Sequence, residues 1–253
     1  MDINVRLDGK IAIVTGAAMG IGKGMAQGLA SVGAQVIIAD IAEEAAETAV
    51  KEIIAQGGKA EAYKLDTTDS KQFTGLVDYL MTKYGKIDIL VNNAGINRRN
   101  LAVNMPEEDF KKIIDINLSG VWLGCKSVAP VMMAQKSGKI VNVCSVMGYA
   151  SLPELSAYSA SKGGVLQLTK NLALELVDYN INVNAIAPAY ILTDLTAKLK
   201  ANEEMYNDLI RRTPMKRFGT LEEIAGPVVF LCSDMSSYMT GHTMPVDGGW
   251  LAW

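Results

Sequence analysis

Ile11-Ala12-Ile13-Val14-Thr15-Gly16-Ala17-Ala18-Met19-Gly20-Ile21-Gly22 decides the fold. A short β-branched run over Ile11–Val14 breaks into three glycines spaced G-x-x-x-G-x-G, and a helical pattern over Ile21–Val32 follows. The commonest dinucleotide fingerprint, G-x-G-x-x-G, is spaced differently, but the physical demands are the same. Glycine permits the tight turn, lets backbone approach a pyrophosphate and lets helix pack closely on strand. The first helical N–H groups then point at phosphate oxygens. A bare strand-to-helix turn is the plainer reading of these residues. Three glycines between a first strand and a first helix weigh against it.

Working outward, Asp40 ends the second apolar run, 20 residues after Gly20. This is close to where an acidic residue meets an adenosine ribose. A carboxylate there accepts hydrogen bonds from ribose hydroxyls and repels a 2′-phosphate. Neither Ala17 and Ala18 in the turn nor Ile41 and Ala42 beyond the strand offers a cation to that phosphate. NAD is therefore expected over NADP. The same carboxylate is also placed to cap the helix that starts at Glu43.

Short β-branched runs alternate with longer helical patterns along the rest of the chain. Strands are expected at Ile11–Val14, Gln35–Ala39, Ala60–Lys64, Ile87–Val91, Lys139–Cys144, Ile181–Ile186 and His242–Val246. Helices are expected at Ile21–Val32, Glu43–Gln56, Ser70–Tyr84, Pro106–Met133, Ala157–Tyr179 and Leu221–Cys232. The strands read as continuous apolar runs, the mark of a parallel sheet buried on both faces. Right-handed crossovers make this an α/β, Rossmann-type doubly wound sheet of about seven strands. The 253 residues carry no linker or repeat and read as one catalytic domain, 1-253. Residues 189–219 are polar and punctuated by Pro214 and Gly219, and are expected to form a substrate lid.

Apolar residues make up 49% of the chain, enough for a sizeable core, and the net charge of −3 shows no basic stripe for nucleic acid. The N-terminus has no apolar signal region, and no run is long enough to span a membrane. Cys125, Cys144 and Cys232 form no C-x-x-C pair and read as reduced thiols in a cytoplasmic protein. His242 is the only histidine, so no metal site is expected.

Tyr158 and Lys162 stand four apart in a helical segment, which places both on one helical face. An ammonium beside a phenol favours the phenolate and suits Tyr158 to proton transfer near neutral pH. With Ser145, 13 residues before Tyr158, and Asn117, these pieces resemble the short-chain dehydrogenase/reductase family over nearly the whole chain. Thr15–Gly22 is similar to that family's T-G-x-x-x-G-x-G, and Asn92-Asn93-Ala94-Gly95 to its N-N-A-G.

The resemblance implies hydride transfer between a nicotinamide and a secondary alcohol or ketone. It implies catalytic roles for Asn117, Ser145, Tyr158 and Lys162. Tyr158 would exchange the proton, Lys162 keep it ionisable and grip the nicotinamide ribose, Ser145 orient the substrate oxygen, and Asn117 anchor a water. Cofactor contacts are implied at Gly16, Met19, Gly20, Ile21 and Gly22, and at Asp40. Others are implied at Asp66 and Thr67 beside the adenine, at Asn93, Ala94 and Gly95 on the cleft floor, and at Tyr158 and Lys162. Pro188, Ile191 and Thr193 are implied on the nicotinamide side. Where the family usually has Pro-Gly, this chain has Pro188-Ala189, and a positive φ there would strain the alanine.

Arg98 and Arg99 follow the cleft floor, and an arginine fork suits a carboxylate. The local sequence resembles gluconate and deoxygluconate dehydrogenases, so a sugar acid or polyol is the first expectation. Arg99, Ser145, Met147, Glu154 and Tyr190 are candidate substrate contacts, although Glu154 would repel an acid if aimed at its carboxylate. A 3-oxoacyl thioester reductase or a steroid dehydrogenase shares the scaffold, and a nicotinamide-sensing protein without turnover would need no Tyr-Lys pair. Apolar residues on more than one face of the helices Pro106–Met133 and Ala157–Tyr179, with tryptophans ending the chain, point to a homotetramer.

Overall fold

Each expected β-branched run becomes a strand, and the strands pair in parallel throughout. The computed structural model describes residues 5–193, 196 and 203–252. In chain order the strands are β1 (Ile11–Thr15), β2 (Gln35–Asp40), β3 (Lys59–Lys64), β4 (Ile89–Asn92), β5 (Gly138–Val143), β6 (Ile181–Pro188) and β7 (Thr243–Val246). They form one seven-stranded sheet in the order β3-β2-β1-β4-β5-β6-β7. The order reverses between β1 and β4, which opens a crevice at the carboxyl ends of the strands where ligands bind in such sheets.

The helices are α1 (Gly20–Ser31), α2 (Glu43–Ala55), α3 (Ser70–Tyr84), α4 (Glu107–Ile114), α5 (Gly120–Gln135), α6 (Ser156–Leu176), α7 (Glu203–Arg212) and α8 (Leu221–Cys232). Burial on both faces explains why the strands lack alternation. Ala12, Val14, Val36 and Ile38 meet Met25, Leu29, Ile53 and Val228 from α1, α2 and α8. Ile13, Ile37 and Leu90 meet Phe73, Leu76, Val128 and Val165 from α3, α5 and α6 on the other face. The central strands are thus fixed from both sides, and their C-terminal ends form a rigid rim.

Two boundaries differ from expectation for identifiable reasons. The helix expected over Pro106–Met133 is divided by a π-helical turn, Asp115–Ser119, which Gly120 closes by donating its N–H to the Asp115 carbonyl. The extra residue turns Asn117 inward to full burial. The strand expected from Ile87 begins instead at Ile89, because Gln135 occupies the Ile87 backbone: Ile87 N donates to Gln135 Oε1 at 3.0 Å and Gln135 Nε2 to the Ile87 carbonyl at 2.8 Å.

Candidate functional site

The turn between β1 and α1 is shaped by close approach. Gly16 has φ +63°, and a Cβ there would sit 2.7 Å from Ala94 Cα. Gly20 also has positive φ, +58°, but a Cβ would meet nothing nearer than Thr193 Cγ2 at 3.9 Å. The first position is closed by protein. The second opens on a cleft with Thr193 across it. Met19, exposed, caps α1 with no side-chain hydrogen bond, so the N–H groups of Gly20, Ile21 and Gly22 open the helix without a side-chain cap. A pyrophosphate fits such an N-terminus.

The loop after β4 is stapled to this turn. Asn93 Nδ2 donates to the carbonyls of Thr15 at 2.9 Å and Gly16 at 2.8 Å, while Asn93 N and Ala94 N donate to Thr15 Oγ1 at 3.0 and 3.2 Å. Asp40 binds the turn from the other side. Its Oδ2 accepts from Ala18 N and its Oδ1 from Ala42 N, each at 3.0 Å. The Asp40 carboxylate therefore holds both the turn and the backbone before α2. Asp66 follows β3 on the same rim and accepts from Thr68 N at 2.9 Å, and Thr67 is buried against Gly120.

Asn117 has both side-chain atoms committed. Oδ1 accepts from Ile96 N at 2.8 Å, and Nδ2 donates to the Ile96 carbonyl at 2.9 Å and to Ser161 Oγ at 3.2 Å. The π turn thus clasps the loop after Gly95 to the helix that carries Tyr158 and Lys162. Ser145 stands just past β5, where Oγ accepts from Met147 N at 3.2 Å and reaches the Pro188 carbonyl at 3.5 Å. Lys162, buried, donates from Nζ to the Val143 carbonyl at 2.8 Å and lies 5.7 Å from the Tyr158 ring centre. Asn117, Ser145 and the Tyr158–Lys162 helix face are therefore gathered near the ends of β4, β5 and β6.

Electrostatics correct one expectation. Burial pushes the Tyr158 phenol up to about 12, with a hydrogen bond to Ser145 pulling weakly the other way. Burial also brings the Lys162 amine down to about 8. Desolvation of the charged forms outweighs the expected ammonium-to-phenol effect. At neutral pH the pair stands as a phenol beside an ammonium.

Around these residues lies an apolar wall. Met147, Leu155, Leu209, Phe218 and Trp250 are buried together, with Tyr158 and Tyr190 packed against them. Burial raises the Tyr190 phenol while Arg99, by charge and hydrogen bonding, pulls it down. Arg98 does not share this position, because it is paired with Asp109 of α4. Ala189 does not adopt positive φ. Glu154, near the site, does, at +69°, and its carbonyl accepts from Asn100 N at 3.1 Å. That backbone costs about 1–3 kcal/mol, and its carbonyl ties the Arg99 loop to the approach to Tyr158.

Ile191 turns its side chain into the core and bridges Gly219, and its carbonyl accepts from Thr196 Oγ1 at 2.6 Å. Thr193 N and Oγ1 both engage Thr196 Oγ1, at 2.8 and 3.2 Å. Of the segment expected to form a lid, residues 194–195 and 197–202 lie outside the described residues. Sequence reasoning missed Phe218 and took Trp250 for a contact with a neighbouring copy; its indole is buried beside Tyr190. The signal for it was the Asp-Gly-Gly-Trp run, whose glycines announce a turn.

Residues 16–251 match the family described as enoyl-(acyl carrier protein) reductase. The 3-oxoacyl-[acyl-carrier-protein] reductase of Thermotoga maritima is 46% identical over 97% of this chain and 99% of its own length. The 5-keto-D-gluconate 5-reductase of Escherichia coli K12 is 40% identical over 97% of this chain and 96% of its own. The solved gluconate 5-dehydrogenase of Burkholderia cenocepacia, in complex with NADP and tartrate, superposes with a TM-score of 0.94 at 37% identity, covering 99% of this chain and 98% of that one. With likeness of this extent along almost its entire length, the chain belongs to the short-chain dehydrogenase/reductase family and is an oxidoreductase acting on CH–OH groups with a nicotinamide cofactor.

Proposed function

We propose that the chain interconverts a secondary alcohol and a ketone on a sugar acid or polyol, using NAD. The observation that carries the substrate class is Arg99 beside the Tyr190 hydroxyl, with Tyr190 in the same apolar cluster as Tyr158 and Met147. A guanidinium and a phenol together suit a carboxylate. NAD, when bound, supplies the nicotinamide that takes or returns the hydride.

This chain's own residues handle the proton. In reduction Tyr158, held as a phenol, donates its proton to the carbonyl oxygen and is left as the phenolate; in oxidation the phenolate takes the hydroxyl proton. Ser145 orients that oxygen, and Lys162 supplies positive charge beside Tyr158. Asn117 positions the Ile96 loop and is the proposed anchor of a water leading to Lys162. Gly16, Met19, Gly20, Ile21 and Gly22 cradle the pyrophosphate, and Asp40 takes the adenosine ribose. Asp66 and Thr67 flank the adenine, Asn93, Ala94 and Gly95 floor the cleft, and Pro188, Ile191 and Thr193 face the carboxamide. Residues 189–219 act as the substrate lid of a single catalytic domain, in a cytoplasmic homotetramer.

The choice of NAD rests on Asp40, with Ile41 and Ala42 after it, although the Burkholderia relative carries NADP. A second reading, reduction of a 3-oxoacyl thioester, is favoured by the apolar wall of Met147, Leu155 and Phe218 and by the Thermotoga relative. One assay separates them: reduced-cofactor formation or consumption on D-gluconate, 5-keto-D-gluconate, D-sorbitol and acetoacetyl-coenzyme A, with NAD(H) and NADP(H) in parallel. Preference for the sugar acids with NAD supports the first reading. Preference for the thioester with NADPH overturns it.

A further inference from the structure

We propose that the C-terminal turn Asp247–Trp250 is part of the substrate site: Trp250 is a positioning residue that holds Tyr190 in place and so sets selectivity at the cleft mouth. Tyr190 touches three things of different kinds. Its ring stacks on Phe218, centres 5.5 Å apart at 26°, and leans on Trp250, 5.5 Å at 57°. Its hydroxyl end feels Arg99 and, more weakly, Arg212. It also acts electrostatically on Tyr158, so the ring spans from the aromatic wall to the acid-base residue.

Tyr190 is half-buried. It borders a cavity of about 300 Å³ that is also lined by Thr213, Met215, Val246, Gly248 and Gly249. Ser145, Tyr158 and Lys162 do not line this cavity. A side chain with open space on one side is located by its neighbours on the others, because close packing fixes side chains and voids release them. Phe218 and Trp250 therefore decide where the Tyr190 hydroxyl stands.

Trp250 is itself fixed from the chain end. The Asp247 carboxylate accepts from Gly249 N and Leu251 N, each at 2.9 Å, and Met215 N donates to the Gly248 carbonyl at 3.1 Å. The turn sits so close to the segment after α7 that a Cβ on Gly249 would lie 2.9 Å from Pro214 Cγ. The result is a buried indole, presented to Tyr190 by a turn pinned at both ends. Phe218 continues the chain of rings to Tyr206 of α7, 5.0 Å away at 60°, so turn, lid and Tyr190 share one aromatic stack.

This inference rests on the reading that Tyr190 and Arg99 face the substrate. The test is a double-mutant cycle on KM with Trp250→Ala, Tyr190→Phe and the double variant, with Trp250→Phe as the conservative replacement. Each is assayed on D-gluconate and on cyclohexanol, a secondary alcohol with no carboxylate, and NADH affinity is measured by fluorescence titration. Trp250→Ala is expected to raise KM about tenfold or more while kcat changes by less than about threefold and NADH affinity holds. Trp250→Phe should recover most of the loss, and the double variant should be no worse than the poorer single one. Independent, multiplying effects on KM, or a Trp250→Ala loss that falls equally on NADH binding, would overturn the proposal. Turnover of cyclohexanol but not D-gluconate would sink the sugar-acid reading alone, since the cycle is then read on cyclohexanol.

Discussion

Replacing Lys162 by methionine should make the cofactor-free protein more stable at neutral pH and less stable at high pH. Lys162 is 3% exposed, and its Nζ donates to the Val143 carbonyl at 2.8 Å. Burial brings its pKa from 10.5 to about 8. The unfolded chain therefore binds more protons than the folded one between those values, and stability rises with pH across that window. Below the folded pKa the whole cost of burying the ammonium is present; above the unfolded pKa none of it is. The difference corresponds to about 3 kcal/mol. Methionine removes that cost but strands the Val143 carbonyl, at about 1–2 kcal/mol. The net is a gain of about 1–2 kcal/mol at neutral pH and a loss of similar size above the window. For a chain of this length each kcal/mol moves Tm by about 2–4 °C. Circular dichroism melts of both proteins from about pH 7 to about pH 11 read the effect as a Tm difference that changes sign. A difference that stays constant with pH, or a variant less stable at neutral pH, would refute the reasoning.

Three further outcomes follow from the same geometry. Gly16→Ala places a methyl 2.7 Å from Ala94 Cα at φ +63°, so its Tm should fall by several degrees and NADH binding should weaken with it, checked by melts and fluorescence titration. Asn117→Ala leaves the Ile96 N–H and carbonyl without their partner. It should cost about 2–3 kcal/mol in denaturant unfolding, and reduce kcat more than NADH affinity. Asp40→Ser combined with Ile41→Arg removes the carboxylate proposed to meet the ribose and adds a cation. The ratio of kcat/KM for NAD over NADP should drop by about tenfold or more in steady-state assays.

The sheet was legible because a doubly covered strand leaves a continuous apolar run, and Val36-Ile37-Ile38 can be little else. Helix α3 was read to the residue, since Asp69 caps it and Gly85 ends it in the left-handed region. The π turn was not legible: Asp115–Ser119 keeps helical dihedrals, and one added residue leaves no mark in a periodic pattern. The pairing of Tyr158 with Lys162 was legible through spacing, and Asn117 and Ser145 through the family resemblance, but the charge states were not. The direction of the Tyr158 shift depends on how much water the fold removes, and a neighbour four residues away says nothing of that. Arg98 and Arg99 are adjacent in sequence, yet only three-dimensional packing sends one to Asp109 and the other to Tyr190. The aromatic stack of Tyr190, Phe218 and Trp250 joins residues far apart in the chain, with no local signal of contact.

The central claim is that Tyr158 carries the proton for hydride chemistry in a cleft that binds the nicotinamide cofactor without it. The direct measurement compares wild type with Tyr158→Phe, reading turnover of the best substrate in the panel beside NADH affinity by fluorescence titration. The expected result is a fall in kcat of about 10²–10⁴-fold with NADH affinity unchanged. Wild-type turnover by the phenylalanine variant would contradict it.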